Sequence, residues 1–247
     1  MHRFYIPADN WNPDALVLSG AEAHHARDVL RLERGDRAVV FNGRGREITA
    51  EIVDLTKNEL RLRRLQENET PPLRCRITLA QAIPKGKNMD LIVQKAVEIG
   101  AAEIAPLISE RTIVDLGPKE ADQKREKWRQ IAIEAAKQCG QNWLPDVHAP
   151  QKLKGFFSHA ANVDLRLIGS LQPDAVHLKK ILGDYREQHG CRPESVLMLV
   201  GPEGDFTPAE LALAKSNGSL PITLGPIILR VETAAIYCLS VLSYELM

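Results

Sequence analysis

Residues 200–210 read VGPEGDFTPAE and follow directly on the run ESVLML. SVLMLV, at 195–200, has the length and unbroken apolar character of a buried strand. Gly201 and Gly204 then permit a sharp turn. Thr207-Pro208-Ala209-Glu210 carries the marks of a helix start: a capping Thr, a Pro suited to the first helical position, and a Glu able to close a capping box. The stretch therefore predicts strand, tight loop and helix, and at the carboxyl ends of such strands open α/β sheets bind ligands. A phosphate cradle does not fit. The loop has no Walker lysine and no GxGxxG, and Glu203 and Asp205 stand where a phosphate would lie. Taken alone, it is either a tight connection or a site for a ligand that is cationic, or neutral with an edge to read.

Outward from this stretch, strand-like and helix-like segments alternate. CRITLAQAI (75–83), AAEIAPLIS (101–109), VDLRLIGSL (163–171) and SLPITLG (219–225) have strand character. KNMDLIVQKAVEIG (87–100), roughly 119–138, DAVHLKKILGDYRE (174–187), PAELALAKSNG (208–218) and ILRVETAAIYCLSVLSYEL (228–246) have helical character. Such alternation predicts a parallel sheet covered on both faces.

Before the polar, proline-bearing ENETPPLR (67–74) the texture changes to short strands and turns. RAVVFNGRGREITAEIVDLTKNELRLRRL (37–65) alternates apolar positions on either side of Asn42-Gly43, a strong hairpin signal. One helix is predicted at SGAEAHHARDVLR (19–31), capped by Ser19 and Glu22, with Ala23, Ala26, Val29 and Leu30 facing inward. A small β-barrel of about seventy residues fits this pattern.

Composition bounds the function classes. With 44% hydrophobic and 26% charged residues the chain resembles an ordinary globular protein. It shows no apolar run of membrane-spanning length, and MHRFYIPADNWNP lacks the apolar centre of a signal peptide. Cys75, Cys139, Cys191 and Cys238 form no CxxC pair and no metal-ligand spacing, so reduced, mostly buried thiols in a cytoplasmic protein are expected, without a metal. The formal net charge is +0, so any nucleic-acid contact must come from local clustering. His24, Arg27, Arg31 and Arg34 supply one such cluster if the helix continues through them, with Arg3, Arg44 and Arg46 able to join it.

LGPIILRVETAAIYCL (224–239) places a second glycine turn at a strand end, with Arg230, Glu232 and Thr233 where the last helix begins. By itself it is accounted for by helix capping and a surface arginine. Together, LVGPEGDFTPAE (199–210) and LGPIILRVETAA (224–235) resemble the signature pair of the SPOUT methyltransferases. More narrowly, they resemble the family that methylates N3 of a uridine in small-subunit (16S) ribosomal RNA. HHARDVLRLERGD (24–36), VVFNGRG (39–45), the block from Gln81 to Thr112 and EAAKQCGQNWLPDV (134–147) extend the resemblance along the chain. The sequence departs from the family pattern at Asp205, where Gly is usual, and at Gln141 and Ile227, where Arg is usual.

The resemblance implies a PUA-like RNA-binding β-barrel at 1–72 and, at 73–247, an α/β domain whose parallel sheet is tied in a deep trefoil knot. It implies a homodimer, S-adenosylmethionine as cofactor and ribosomal RNA as substrate, with no membrane and no metal. Leu199, Gly201, Pro202, Glu203, Gly204, Leu224, Gly225, Leu229 and Thr233 become the expected cofactor contacts. Arg230 and Glu232 become the expected catalytic pair, and Arg3, His24, Arg27, Arg31, Arg34 and Arg44 the expected RNA contacts. A non-catalytic RNA-binding or ribosome-assembly protein, and a methyltransferase acting on a transfer-RNA ribose, are the competing expectations.

Overall fold

The computed structural model describes residues 1–112, 116–159 and 162–247. It divides into two units: Met1–Pro72 with Ile133–Leu144, and Leu73–Ala132 with Pro145–Met247. The second expected domain is thus interrupted, because a twelve-residue segment, 133–144, belongs with the first unit.

In the first unit, strands β1 (His2–Tyr5), β2 (Leu16–Ser19), β3 (Arg37–Phe41), β4 (Arg46–Leu55) and β5 (Glu59–Glu69) form one sheet in the order β1-β3-β4-β5-β2. The expected hairpin joins β3 to β4. Asn42 Oδ1 accepts from the N–H groups of Arg44 (2.8 Å) and Arg46 (3.1 Å), which ties the turn from inside. Two register shifts along β4 and β5, at Thr49/Ala50 and Ile52/Asp54, let the sheet bend over its own core. Ile48, Ala50 and Ile52 alternate inward and are fully buried against Phe4, Leu16, Val40 and Leu60. Segment 133–144 is held by Asn142, whose amide donates to Thr70 Oγ1 (2.9 Å), and by Trp143, whose indole donates to the Thr70 carbonyl (2.8 Å).

The helix of this unit differs from expectation. Helix α1 (Gly20–His24) passes into a π-wound turn (His25–Val29), with the Leu30 N–H bonding the His25 carbonyl at 3.0 Å. One extra residue per turn rotates everything after it. Ala23 and Ala26 are buried as predicted, but Val29 is 63% exposed. Ser19 stands at the helix start without a capping side-chain bond. Glu22, its expected partner, instead receives Lys137 Nζ at 3.0 and 3.2 Å, a charged donor that outcompetes a neutral one.

The second unit is the expected parallel sheet. Its strands are β6 (Arg76–Ala82), β7 (Glu103–Ile108), β8 (Asp146–Val147), β9 (Gln151–Lys152), β10 (Leu165–Gly169), β11 (Val176–His177), β12 (Ser195–Val200) and β13 (Leu220–Thr223). The order is β11-β13-β10-β12-β6-β7-β8, with β9 also on β7, and every pairing is parallel. The helices are α2 (Asn88–Ile99), α3 (Pro118–Cys139, of which the part from Ile133 belongs to the first unit), α4 (Leu153–His159), α5 (Leu178–His189), α6 (Pro208–Ser216) and α7 (Val231–Leu246). Sequence periodicity does not reveal the short β8, β9 and α4, and β11 occupies the first residues of the stretch 174–187 read as helical, because elements of two to seven residues carry too little periodicity.

Both faces of the central strands are covered. Helices α2 and α7 pack together, and α7 lies on β6 and β12. On the other face Ala80, Ala82, Leu197 and Leu199 meet Phe156 of α4, Phe206, and Leu211 and Ala214 of α6. Burying each large side chain stabilises by about 1.5–3 kcal/mol, which is why these strands read as continuous apolar runs. Strand β13 lies beyond β10, whereas α7 sits over β6 and β12. Residues 224–230 must therefore run back past the ends of β10 and β12, and that return builds the site.

Candidate active site

Three strand ends meet at one cleft of about 480 Å³. Gly169, Ser170 and Leu171 come from the end of β10. Val200 to Glu203 and Asp205 follow β12. Leu224, Gly225 and Ile227 to Glu232 follow β13. Asn88, at the start of α2, and Ala234 complete the wall. This size suits a small organic ligand, and the location at the carboxyl ends of parallel strands is the expected one.

The loop after β12 holds itself open. Thr207 Oγ1 accepts from the Glu210 N–H (3.3 Å) while Glu210 Oε2 accepts from the Thr207 N–H (2.9 Å), so the expected capping box is complete. Glu210 is only 6% exposed, and its other oxygen accepts from the Glu110 N–H at 2.9 Å. The two acids that ruled out a phosphate have internal partners. Glu203 Oε1 accepts from the Lys85 N–H (2.9 Å) and thereby fastens the loop to the entry of α2. Asp205 has a left-handed backbone (φ 60°), a conformation that Asp tolerates better than most residues, and its Oδ1 accepts from the Phe206 N–H at 2.8 Å. This positive φ is one that the Gly expected from the family resemblance would adopt freely and that Asp tolerates. Arg111 donates to the Gly204 carbonyl from outside the loop.

Of the expected cofactor residues, Gly201, Pro202, Glu203, Leu224, Gly225 and Leu229 line the cleft. Leu199, Gly204 and Thr233 are chain neighbours of lining residues; the Leu199 side chain belongs to the α4/α6 core. The expected catalytic pair, Arg230 and Glu232, both line it. Arg230 is the residue before α7, exposed, and the one lysine or arginine among the described lining residues. Glu232 Oε2 accepts from Asn88 Nδ2 at 3.1 Å, so the carboxylate is oriented by α2 rather than by Arg230. Ser170, Leu171 and Asn88 were missed by sequence reasoning. Nothing local marks them; only the strand order brings them here.

The expected RNA residues are scattered over the first unit rather than set on one helical face. The helix ends at Val29, Arg31 has a left-handed backbone (φ 54°), and Arg34 lies in the following turn. Helical spacing therefore does not align them, though Arg31 and Arg34 are exposed. Arg27 bonds Asp28 (2.9 and 2.6 Å) and the carbonyls of Thr56 and Lys57. His24 pairs with the same Asp28. Hydrogen bonds from Arg27 hold the Asp28 carboxyl down at about 2, so it stays ionised and offsets this cluster's charge. Arg3 is used internally: it reaches Glu47 (2.8 Å) and Asn142 (2.6 Å) and lies over the Phe41 ring. Arg44 is at the hairpin tip, bridged through its backbone to Trp143.

The two units thus define a class, an RNA methyltransferase with an N-terminal PUA domain. Residues 71–243 match the family model of the RNA methyltransferase domain, and residues 18–69 match that of the RNA methyltransferase PUA domain. Among curated proteins the chain is 33% identical over 236 residues to the ribosomal RNA small subunit methyltransferase E of Synechocystis, covering 94% of this chain and 74% of that one. It is 32% identical to the protein of that name from Bacillus subtilis, covering 92% and 89%. Among solved structures, a Legionella pneumophila methyltransferase in complex with its cofactor SAM superposes with TM-score 0.86 at 35% identity, covering 98% and 97%. A Neisseria gonorrhoeae ribosomal RNA small subunit methyltransferase E bound to S-adenosyl methionine superposes with TM-score 0.86 at 31% identity, covering 99% and 98%. The chain belongs to the ribosomal RNA small subunit methyltransferase E family. The expected architecture, a knotted SPOUT methyltransferase domain behind a PUA-like domain, is borne out. No described helix is long and apolar enough to cross a membrane.

Proposed function

We propose that the cleft binds S-adenosylmethionine and that the enzyme methylates N3 of a uridine in 16S ribosomal RNA. The carrying observation is the wall itself: three strand-end loops present peptide groups and carboxylates to one cleft, with Arg230 as the lone described cation. That donor set fits a ligand bearing a sulfonium, an ammonium and an adenine edge, and fits a phosphate ligand poorly. Related structures solved with this cofactor support the same assignment. When bound, the cofactor supplies an electrophilic methyl group. Peptide groups around Gly201 to Glu203 and Leu224 to Leu229 would hold it, with Leu199, Gly204 and Thr233 next to them in the chain.

Uridine N3 carries its proton at neutral pH, with a pKa about two units higher, so exposing the nucleophile costs about 2.7 kcal/mol. Arg230 reduces that cost by bonding a uracil carbonyl oxygen onto which the charge spreads. The start of α7, which has no side-chain cap, adds its positive end at the same place. Glu232 accepts the N3 proton. Arg31, Arg34 and Arg44, with His24 and Arg27 beside Asp28, supply phosphate contacts from the first unit, whereas Arg3 is committed to Glu47 and Asn142. Leu171, Ile227 and Ile228 at the cleft and Tyr237 and Tyr244 on α7 are 64, 73, 77, 44 and 86% exposed. We assign these exposed apolar side chains to contacts with a second copy of the chain.

Methyl transfer from labelled S-adenosylmethionine to small ribosomal subunits tests the reading. Arg230→Ala should slow transfer about a hundredfold. Mass spectrometry of 16S RNA from cells lacking the protein should show loss of N3-methyluridine. A full complement of that nucleotide would exclude the target.

A further inference from the structure

We propose that Asn88 is a positioning residue for the reaction: its side-chain amide holds the Glu232 carboxylate at the cleft. This rests on the role given to Glu232 above. The two residues are 144 positions apart and meet through Asn88 Nδ2 donating to Glu232 Oε2 at 3.1 Å. Both line the cleft. Asn88 is the first residue of α2, and among the described bonds its amide makes no contact with its own helix. Glu232 is in the first turn of α7, and no other described side chain bonds its carboxylate.

The scaffold behind the pair is rigid. Met89, Ile92, Val93, Ala96 and Val97 of α2 are buried, as are Ala235, Leu239 and Leu242 of α7, and the two helices pack along each other. A half-buried glutamate at a helix start would otherwise have more than one rotamer open to it. An amide N–H can bond only an acceptor, so Asn88 selects one placement of the carboxylate and leaves Oε1 for the proton that must move. Misplacing a reacting group by about 1 Å costs on the order of a hundredfold in rate. An aspartate at 88 would keep the shape and suit the first turn of a helix, yet present an acceptor and a like charge.

Single-turnover methyl transfer to small ribosomal subunits, with calorimetric binding of S-adenosylmethionine, tests the assignment. Asn88→Ala and the isosteric Asn88→Asp should each lower the transfer rate by about 10- to 100-fold, with cofactor Kd within about twofold of wild type. Because Asn88 acts through Glu232, Asn88→Ala in a Glu232→Ala background should slow the enzyme less than about twofold further. Independent, multiplying losses would overturn the inference, as would a loss confined to cofactor binding. A Glu232→Ala enzyme with wild-type rate would instead overturn the role of Glu232 itself, leaving the cofactor assignment to stand on its own binding data.

Discussion

Gly225 sits at φ 110°, in the return segment that crosses the strand ends, and a Cβ built on it would meet no heavy atom within 4 Å. Gly225→Ala therefore introduces backbone strain and little else. That strain is on the order of 1–3 kcal/mol, because the region is nearly closed to residues with a side chain. Where it surfaces depends on what holds the segment. Gly225 and Pro226 are exposed, so little packing compels the strained shape at this bend in the free protein. The segment should relax, and the ligand must then restore it. At 1.4 kcal/mol per tenfold, about 2 kcal/mol becomes a roughly 30-fold weaker Kd for S-adenosylmethionine, with the melting temperature nearly unchanged. Gly35, at φ 97° in the first unit and also free of neighbours, is the matched control. Gly35→Ala should leave the cofactor Kd unchanged. Isothermal calorimetry and thermal unfolding of the two variants make the comparison. A Gly225→Ala protein that binds as tightly as wild type would refute the claim that this bend shapes the site.

Glu210→Ala leaves the Thr207 and Glu110 N–H groups without their buried acceptor, and should cost about 2–3 kcal/mol in denaturant unfolding. An unchanged midpoint would mean that water replaces the carboxylate. Glu103 bonds His148 (3.0 Å) and Arg76 (2.9 Å), and the His148 bond together with Arg76 holds its carboxyl below the usual range despite partial burial. A carboxyl lowered in the folded state contributes stability above its unfolded pKa and loses it as pH falls through the folded one. Glu103→Gln should thus destabilise by about 1 kcal/mol at pH 7, allowing for the exposed Arg76, and the gap to wild type should shrink steadily as acid takes the pH below the usual carboxylate range. A gap that persists in acid would contradict this. Burial pushes the Cys75 thiol up to about 11 and the Cys238 thiol to about 12, whereas Cys139 and Cys191 are exposed. At pH 8 a thiol reagent should label two cysteines in the native protein and four after unfolding. Rapid labelling of Cys238 in the native state would show that α7 detaches readily.

The sequence by itself determined whatever depends on near neighbours. The capping box at Thr207 and Glu210, the Asn42-Gly43 hairpin and the alternation of apolar runs with amphipathic segments are local, so they could be read directly and were found. The paired glycine segments likewise carried the family. Tertiary structure alone decided which distant residues share the site. Asn88 meets Glu232, Lys85 meets Glu203 and Ser170 joins Val200 because β10 and β12 are neighbours and α7 returns over β6. Tertiary contacts also overrode local signals, as when Lys137 took Glu22 from Ser19 and a π-wound turn carried Val29 to the surface. Periodicity reports which face of a segment is apolar, but not which segment will cover it. That second choice depends on strand order and on competing partners far along the chain.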